Sequence, residues 1–225
     1  MKRTKPKPEA RNQAAPDQAA PNRAIKDPRV IQLKITLVGS KPPIWRSFQM
    51  KESMHLGELH RAVQIVMGWS DTHLHLFQVA NRSFSLFSDT DDAPPEEEDS
   101  RSVSLRQLGL VRKGRKFTYT YDFGDDWVHQ IEVESARAAD PDTFYPVCVS
   151  GEKACPPDDC SGIWGYYELL EALKNRRHPE HKEKRRWMGG SFDPDLFDIA
   201  AVNQRLRATF EAMEPVTGLG KAFRA

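Results

Sequence analysis

The stretch from Lys116 to Glu134, KFTYTYDFGDDWVHQIEVE, constrains the fold more than any other part of the chain. Apolar and polar residues alternate in two runs, one on each side of a short segment around Gly124 and Asp125. One face of the two runs would carry Phe117, Tyr119, Tyr121, Phe123, Trp127, His129, Ile131 and Val133. Successive side chains of a strand point to opposite faces, and glycine followed by aspartate favours a turn. The stretch therefore predicts an antiparallel hairpin with one face in the core.

A second alternating run, from Val30 to Leu37, predicts another strand and marks the start of the folded part. Pro42 and Pro43 end that strand, and residues 44–50 are predicted to return as its hairpin partner. Three further strands are predicted in the segments HLHLFQVA (73–80), SFSLF (83–87) and FYPVCVSG (144–151).

Four helices are predicted from apolar periodicity and capping residues. The clearest is SMHLGELHRAVQIVMGW (53–69), in which Gly68 stands at the C-terminal end. A short helix is predicted for residues 102–110 and an amphipathic one for 165–175. A last helix is predicted to follow Asp193 or Asp198, because aspartate is a good N-terminal cap.

Strands come early and helices late, without regular strand–helix–strand alternation, so the sequence predicts an α+β fold. We expect an antiparallel, hairpin-rich sheet packed against a few helices. Residues 1–28 are predicted to be a disordered basic tail with seven basic and three acidic residues, 29–212 the folded domain, and 213–225 a C-terminal tail. The acidic segment 88–100 is predicted to be a mobile connection.

The composition excludes several classes of protein. No apolar run approaches the roughly 18 to 20 residues that a spanning helix needs, so no membrane partner is expected. The missing apolar run behind Lys2 and Arg3 predicts a cytoplasmic protein. Three cysteines without an export signal then indicate reduced thiols or a metal site. The net charge of +1 provides no overall attraction for nucleic acid, so any such binding would depend on a local cluster of basic residues.

Four motifs occur in a characteristic order: LHRAVQIVMGWSDTHLHLF, YTYDFGDDWVHQIEVE, CPPDDCSGIWGYYELL and FDPDLFDIAAVNQRL. With these motifs the chain resembles, over about residues 30–208, the plasmid pRiA4b open-reading-frame-three-like family, also labelled the insertion-element passenger TnpR family. The resemblance implies a compact α+β domain found on plasmids, in insertion elements and in many bacterial genomes. The TnpR label suggests a resolvase, but the N-terminal region expected to carry a serine nucleophile is the predicted tail, and the last 58 residues contain no tyrosine. No recombinase chemistry is therefore predicted.

The cysteines carry one candidate metal site. Cys148, Cys155 and Cys160 fall within thirteen residues of a Pro/Gly-rich loop, where three thiolates and a histidine such as His129 or His178 would suit one structural Zn²⁺. The spacings differ from the Cys-x-x-Cys pattern of zinc knuckles, so buried or loop thiols remain the alternative.

The hairpin carries a second candidate site. Asp122, Asp126 and His129 are the residues that a metal-dependent hydrolase or nuclease would use there. Aspartates are also favoured in turns, and His129 on an apolar face is also typical of a core residue. His73 and His75 alternate along a predicted strand and form a possible two-histidine metal or acid–base pair, with packing as the alternative.

A basic segment is the third candidate. Residues 174–187 contain seven Lys or Arg against two Glu, a net charge of +5. The candidate nucleic-acid-binding residues are Arg176, Arg177, Lys182, Lys184, Arg185, Arg186 and Trp187, a phosphate-binding composition with one stacking aromatic. The leading hypothesis is a non-enzymatic binding or adaptor domain whose partner is nucleic acid or a protein; the alternative is the hydrolase or nuclease.

Overall fold

The computed structural model describes residues 29–86 and 96–213. Its strands are β1 (Arg29–Leu37), β2 (Trp45–Lys51), β3 (His75–Val79), β4 (Arg82–Ser85), β5 (Glu97–Asp99), β6 (Lys116–Tyr121), β7 (Trp127–Ala138) and β8 (Val147–Glu152). Its helices are α1 (Leu56–Met67), α2 (Gly162–Lys174), α3 (His181–Trp187) and α4 (Ile199–Met213). The predicted tails lie outside the described residues, except for Met213, which ends α4.

The eight strands form one sheet in the order β5-β4-β3-β6-β7-β1-β2-β8. All neighbouring strands are antiparallel except β4 and β5, which are parallel. The predicted α+β class is therefore confirmed. No helix within the described ranges combines the length and the apolar content needed to cross a bilayer.

β1 is an interior strand of the sheet, and its alternating apolar residues place one face in the core. Ile31, Leu33, Ile35 and Leu37 are all buried, as the alternation predicts. β1 pairs with β2 on one side, across the predicted first hairpin, and with β7 on the other.

α1 is held at both ends. At its start the side chain of His55 accepts a hydrogen bond from the backbone N–H of Glu58, whose carboxylate accepts one from the backbone N–H of His55. At its end Gly68 adopts a φ of 96°, the left-handed conformation that favours glycine there. The helix packs on the sheet, where Gln64 donates a hydrogen bond to the hydroxyl of Tyr119 over 2.9 Å.

The hairpin of β6 and β7 is confirmed, with Tyr121 opposite Trp127. Its connection is a five-residue loop, 122–126, rather than a two-residue turn. The carboxylate of Asp122 organises this loop by accepting hydrogen bonds from the backbone N–H groups of Gly124 and Asp125. Phe123, which the alternation assigns to the apolar face, is in the loop and is 55% exposed.

Two segments differ from the predictions. Residues 105–111 form turns instead of a helix, because Ser104 and Gln107 bond to each other and Gly109 adopts a φ of 67°. Within the predicted mobile connection, Glu97–Asp99 forms β5, fixed to β4 by two hydrogen bonds from Arg82 to Glu98. Residues 87–95 of that connection lie outside the described residues.

The last helices complete the domain. α2 begins three residues earlier than predicted, and α4 is capped by Asp198, whose carboxylate accepts a hydrogen bond from Ala201. α4 lies against β8 and α1. The side-chain amide of Asn203 bonds to both backbone groups of Cys148 on β8, at 2.7 and 2.9 Å.

Candidate functional site

Three loops bring one histidine and two aspartates together at one end of the sheet. His73 precedes β3, Asp122 follows β6, and Asp159 lies in the loop before α2. The Nε2 atom of His73 lies 3.2 Å from Oδ1 of Asp159 and 3.7 Å from Oδ2 of Asp122. One ligand atom from each residue falls within 4.8 Å of the others, and no other trio of His, Cys, Asp or Glu does so among the described residues. We call these three residues the His–Asp cluster.

Hydrogen bonds between the loops fix this cluster. The backbone N–H of Asp122 donates to the carbonyl of Leu74, beside His73. The backbone N–H of Ser161, near Asp159, donates to the carboxylate of Asp125 over 3.1 Å. The hairpin loop therefore bonds to both of the other loops that form the cluster.

Two cluster residues have left-handed backbones. Asp122 has a φ of 57° and Asp159 a φ of 58°, a region that aspartate and asparagine tolerate better than most residues. Such conformations recur at functional sites, where the surrounding structure enforces them.

The polar atoms of the cluster are only partly satisfied. Nε2 of His73 is shielded from solvent and has no hydrogen-bond partner among the described residues, and the same is true of Oδ1 of the neighbouring Asp158. Burial raises the pKa of the Asp158 carboxyl. An imidazole nitrogen with carboxylate oxygens is a ligand set that suits a divalent transition metal.

The structure does not bring together the hydrolase residues predicted on the hairpin. Asp126 is exposed in the loop, whereas His129 is fully buried with Trp69 edge-on at 5.2 Å. Burial lowers the pKa of His129 to about 3, so its imidazole is neutral. Of that set, only Asp122 belongs to the His–Asp cluster.

The predicted zinc ligands are also not assembled. Two strands, β1 and β2, separate His129 on β7 from Cys148 on β8, which places these strands about 14 Å apart. Burial raises the pKa of Cys148 to about 11 and that of Cys160 to about 12, and it raises the pKa of Cys155 further. With no metal bound, all three thiols are therefore protonated near neutral pH; Cys148 and Cys160 are buried and Cys155 is partly buried.

His73 and His75 do not form a pair. His75 is buried and stacks on His60 with ring centroids 3.5 Å apart. The ring nitrogens of His60 lie 2.9 Å from the Tyr119 hydroxyl and 2.7 Å from the Asp71 carboxylate. The sequence analysis missed this buried histidine cluster, because spacing along α1 does not reveal which strand residues its inner face meets.

The basic segment, residues 174–187, contains α3 as its C-terminal half. All of its predicted nucleic-acid-binding residues are exposed except Lys184, which is half-buried, and Trp187 is 49% exposed. None of its seven Lys and Arg side chains forms an ion pair within residues 29–86 and 96–213. Lys184 and Trp187 line a cleft of about 140 Å³, and Asp159 of the His–Asp cluster lines the same cleft.

Comparison with known proteins places these features in a family. The uncharacterized protein y4hQ of Sinorhizobium fredii is 35% identical over 180 residues, which cover 77% of this chain and 86% of that protein. The crystal structure of MM3350 from Methanosarcina mazei, a protein of unknown function, superposes with a TM-score of 0.70 at 34% identity. The match covers 78% of this chain and 98% of MM3350.

The family described as "Plasmid pRiA4b ORF-3-like protein" matches residues 29–201, which extend from the first residue of β1 into α4. That description suggests a link to plasmids. The chain belongs to the plasmid pRiA4b ORF-3-like family.

Proposed function

We propose that this domain binds nucleic acid through the basic segment 174–187. The observation that carries the proposal is that seven cationic side chains cluster there and none is neutralised by a carboxylate of the described chain. Cations that pair with phosphates release condensed counterions, which supplies most of the free energy of nonspecific binding to nucleic acid.

The aromatic residue at the end of α3 supports the same function. Trp187 presents half of its surface to solvent at the mouth of the cleft, next to Lys184. Stacking of a base on an exposed aromatic ring contributes about 1–3 kcal/mol and tolerates any sequence. A single-stranded segment is therefore the form of nucleic acid that we expect to bind best.

The test is fluorescence anisotropy with a labelled single-stranded DNA, the RNA of the same sequence, and the DNA duplex. The wild-type affinity should fall steeply between about 50 and 200 mM salt. Arg185→Glu with Arg186→Glu should weaken binding at least ~10-fold and make the salt dependence shallower by about two phosphate contacts. Trp187→Ala should weaken single-strand binding more than duplex binding.

A charge-matched control separates local from overall charge effects. Arg112→Glu with Lys113→Glu makes the same change of charge at exposed positions outside the basic segment and should leave binding within about two-fold. Equal loss in both double variants, or no binding by the wild type, would overturn the proposal. A protein partner lost only from the Arg185 and Arg186 variant would indicate an adaptor instead.

A further inference from the structure

We propose that His73, Asp122 and Asp159 bind one divalent transition-metal ion, of the Mn²⁺ or Zn²⁺ class. This site does not depend on nucleic-acid binding by the basic segment, so each proposal can fail alone.

The separations within the His–Asp cluster are close to those of a coordinated metal. Two ligands about 2.1 Å from one ion, at angles of 90–110°, lie about 3.0–3.4 Å apart. The observed distances from Nε2 of His73 are 3.2 Å to Asp159 and 3.7 Å to Asp122. The ligand atoms of Asp122 and Asp159 lie within 4.8 Å of each other, so a bound ion would draw the two carboxylates together.

Asp122 gives an independent reason to place a cation there. Its side chain is nine-tenths buried, with 9% exposed. Its Oδ1 atom accepts two backbone hydrogen bonds in the loop, but Oδ2 faces His73 and accepts none from the described chain. A largely buried carboxylate is costly unless its charge is paired, and a metal ion bound at Oδ2 would pair it.

His73 provides a nitrogen ligand for the same ion. Its Nε2 atom is shielded from solvent and forms no aligned hydrogen bond, although the Asp159 carboxylate lies 3.2 Å away. An imidazole nitrogen placed between two carboxylates can bind a metal ion through its lone pair. A nitrogen ligand beside two carboxylates favours Mn²⁺ or Zn²⁺ over Ca²⁺ and Mg²⁺, which prefer oxygen ligands alone.

The site would keep coordination positions open. Asp159 is 70% exposed on its side chain and lines the cleft shared with Lys184 and Trp187. Three protein ligands leave at least one position for water or for a ligand in the cleft. Glu183 also lines the cleft, so a phosphate-bearing ligand there would depend on the ion and on Lys184 to offset that negative charge.

The alternative to a metal is an ion pair, in which a protonated His73 alone neutralises the two aspartates. The two arrangements differ in whether the wild-type chain binds a metal ion at all. Metal affinity is lost from a metal site, whereas an ion pair has no metal affinity to lose.

The test is calorimetric titration of the chelator-treated full chain with MnCl₂ and, separately, ZnCl₂, with native mass spectrometry to count bound ions. We expect one ion per chain. Asp122→Asn and Asp159→Asn should each weaken binding at least ~10-fold, since even outer partners of metal ligands contribute 10–100-fold. Asparagine keeps the Oδ1 acceptor and tolerates the left-handed backbone, so both variants preserve the loops.

Glu211→Gln on α4, another exposed acid that belongs to an ion pair, is the matched control and should bind as the wild type does. If Asp122→Asn lowers the melting temperature strongly, the metal affinities of Asp159→Asn and His73→Gln are compared with that of the wild type instead, and both should be weaker. Absence of a bound ion, equal binding by the aspartate variants, or an ion lost only with Cys155→Ser would each overturn the proposal.

Discussion

Both ring nitrogens of His129 lie in the core, where neither forms an aligned hydrogen bond with the described residues and only backbone groups of Trp127 and Tyr119 interact with the ring. An unsatisfied buried polar group costs about 1–3 kcal/mol, so replacement by an apolar residue of similar volume removes that cost. We expect His129→Leu to raise the free energy of unfolding by about 1 kcal/mol in urea denaturation. His129→Asn, which keeps a polar group in a smaller side chain, should lower it. A destabilised leucine variant would show that His129 has a polar partner.

The buried histidines also predict how stability depends on pH. Burial lowers the pKa of His75 and of His129 to about 3, whereas an unfolded histidine titrates near 6.5. Between those values the unfolded chain binds more protons than the folded one. The free energy of unfolding should therefore fall as the pH falls below about 6.5, by about 1.4 kcal/mol per pH unit for each histidine.

Urea denaturation of the wild type and of His129→Leu at several pH values from about 7 to 4.5 measures this slope. The variant should show a slope smaller by about one proton, because one of the two histidines is gone. Parallel slopes would mean that His129 is protonated in the folded state.

At the scale of elements, the start of α2 is pressed against the loop that precedes it. A Cβ atom at Gly165 would lie 1.9 Å from the carbonyl oxygen of Cys160. Replacing a helical glycine by alanine normally stabilises by about 1 kcal/mol, but here we expect a loss of at least ~1–2 kcal/mol. Gly57→Ala in α1 is the control, since its Cβ would meet only side-chain atoms, at 3.3 Å. Similar urea midpoints for the two variants would contradict this prediction.

Elements with a strong local period were predictable from the sequence. α1 and the hairpin of β6 and β7 follow their apolar patterns, because each buries one face. β5 was not predictable, since no local pattern encodes its parallel pairing with β4, across which Arg82 bonds to Glu98. The predicted helix at 102–110 failed because side-chain bonding at Ser104 and the left-handed Gly109 favour turns.

The candidate site was predictable in part. Asp122 was predicted as a ligand of a cation because it is a carboxylate at the end of an alternating strand. Its proposed partners, His73 and Asp159, lie 49 and 37 residues away in sequence and arrive on separate loops. Only the tertiary packing of those loops decides that their side chains, rather than those of Asp126 and His129, meet the Asp122 carboxylate.

At the scale of the whole molecule, both edges of the sheet are protected from pairing with another chain. β5 is three residues long and acidic, and α4 covers β8 through the two hydrogen bonds of Asn203 to Cys148. Asn203→Ala leaves a backbone N–H and a carbonyl unpaired, so we expect a loss of about 1–3 kcal/mol and more self-association.

Light scattering after gel filtration and a thermal melt measure both effects. Gln204→Ala, at the next and exposed position of α4, should change neither. Equal behaviour of the two variants would show that the edge of β8 needs no cover.

The strand order also means that β1 is translated long before one of its two partner strands. β1 pairs with β7 so that Leu33 lies opposite Val133, which is translated 100 residues after it. At about 5–20 residues per second this takes about 5–20 s. Throughout that interval the nascent chain carries its apolar first strand with one edge open. We therefore expect this protein to be most prone to aggregation during its synthesis, before β7 pairs with β1.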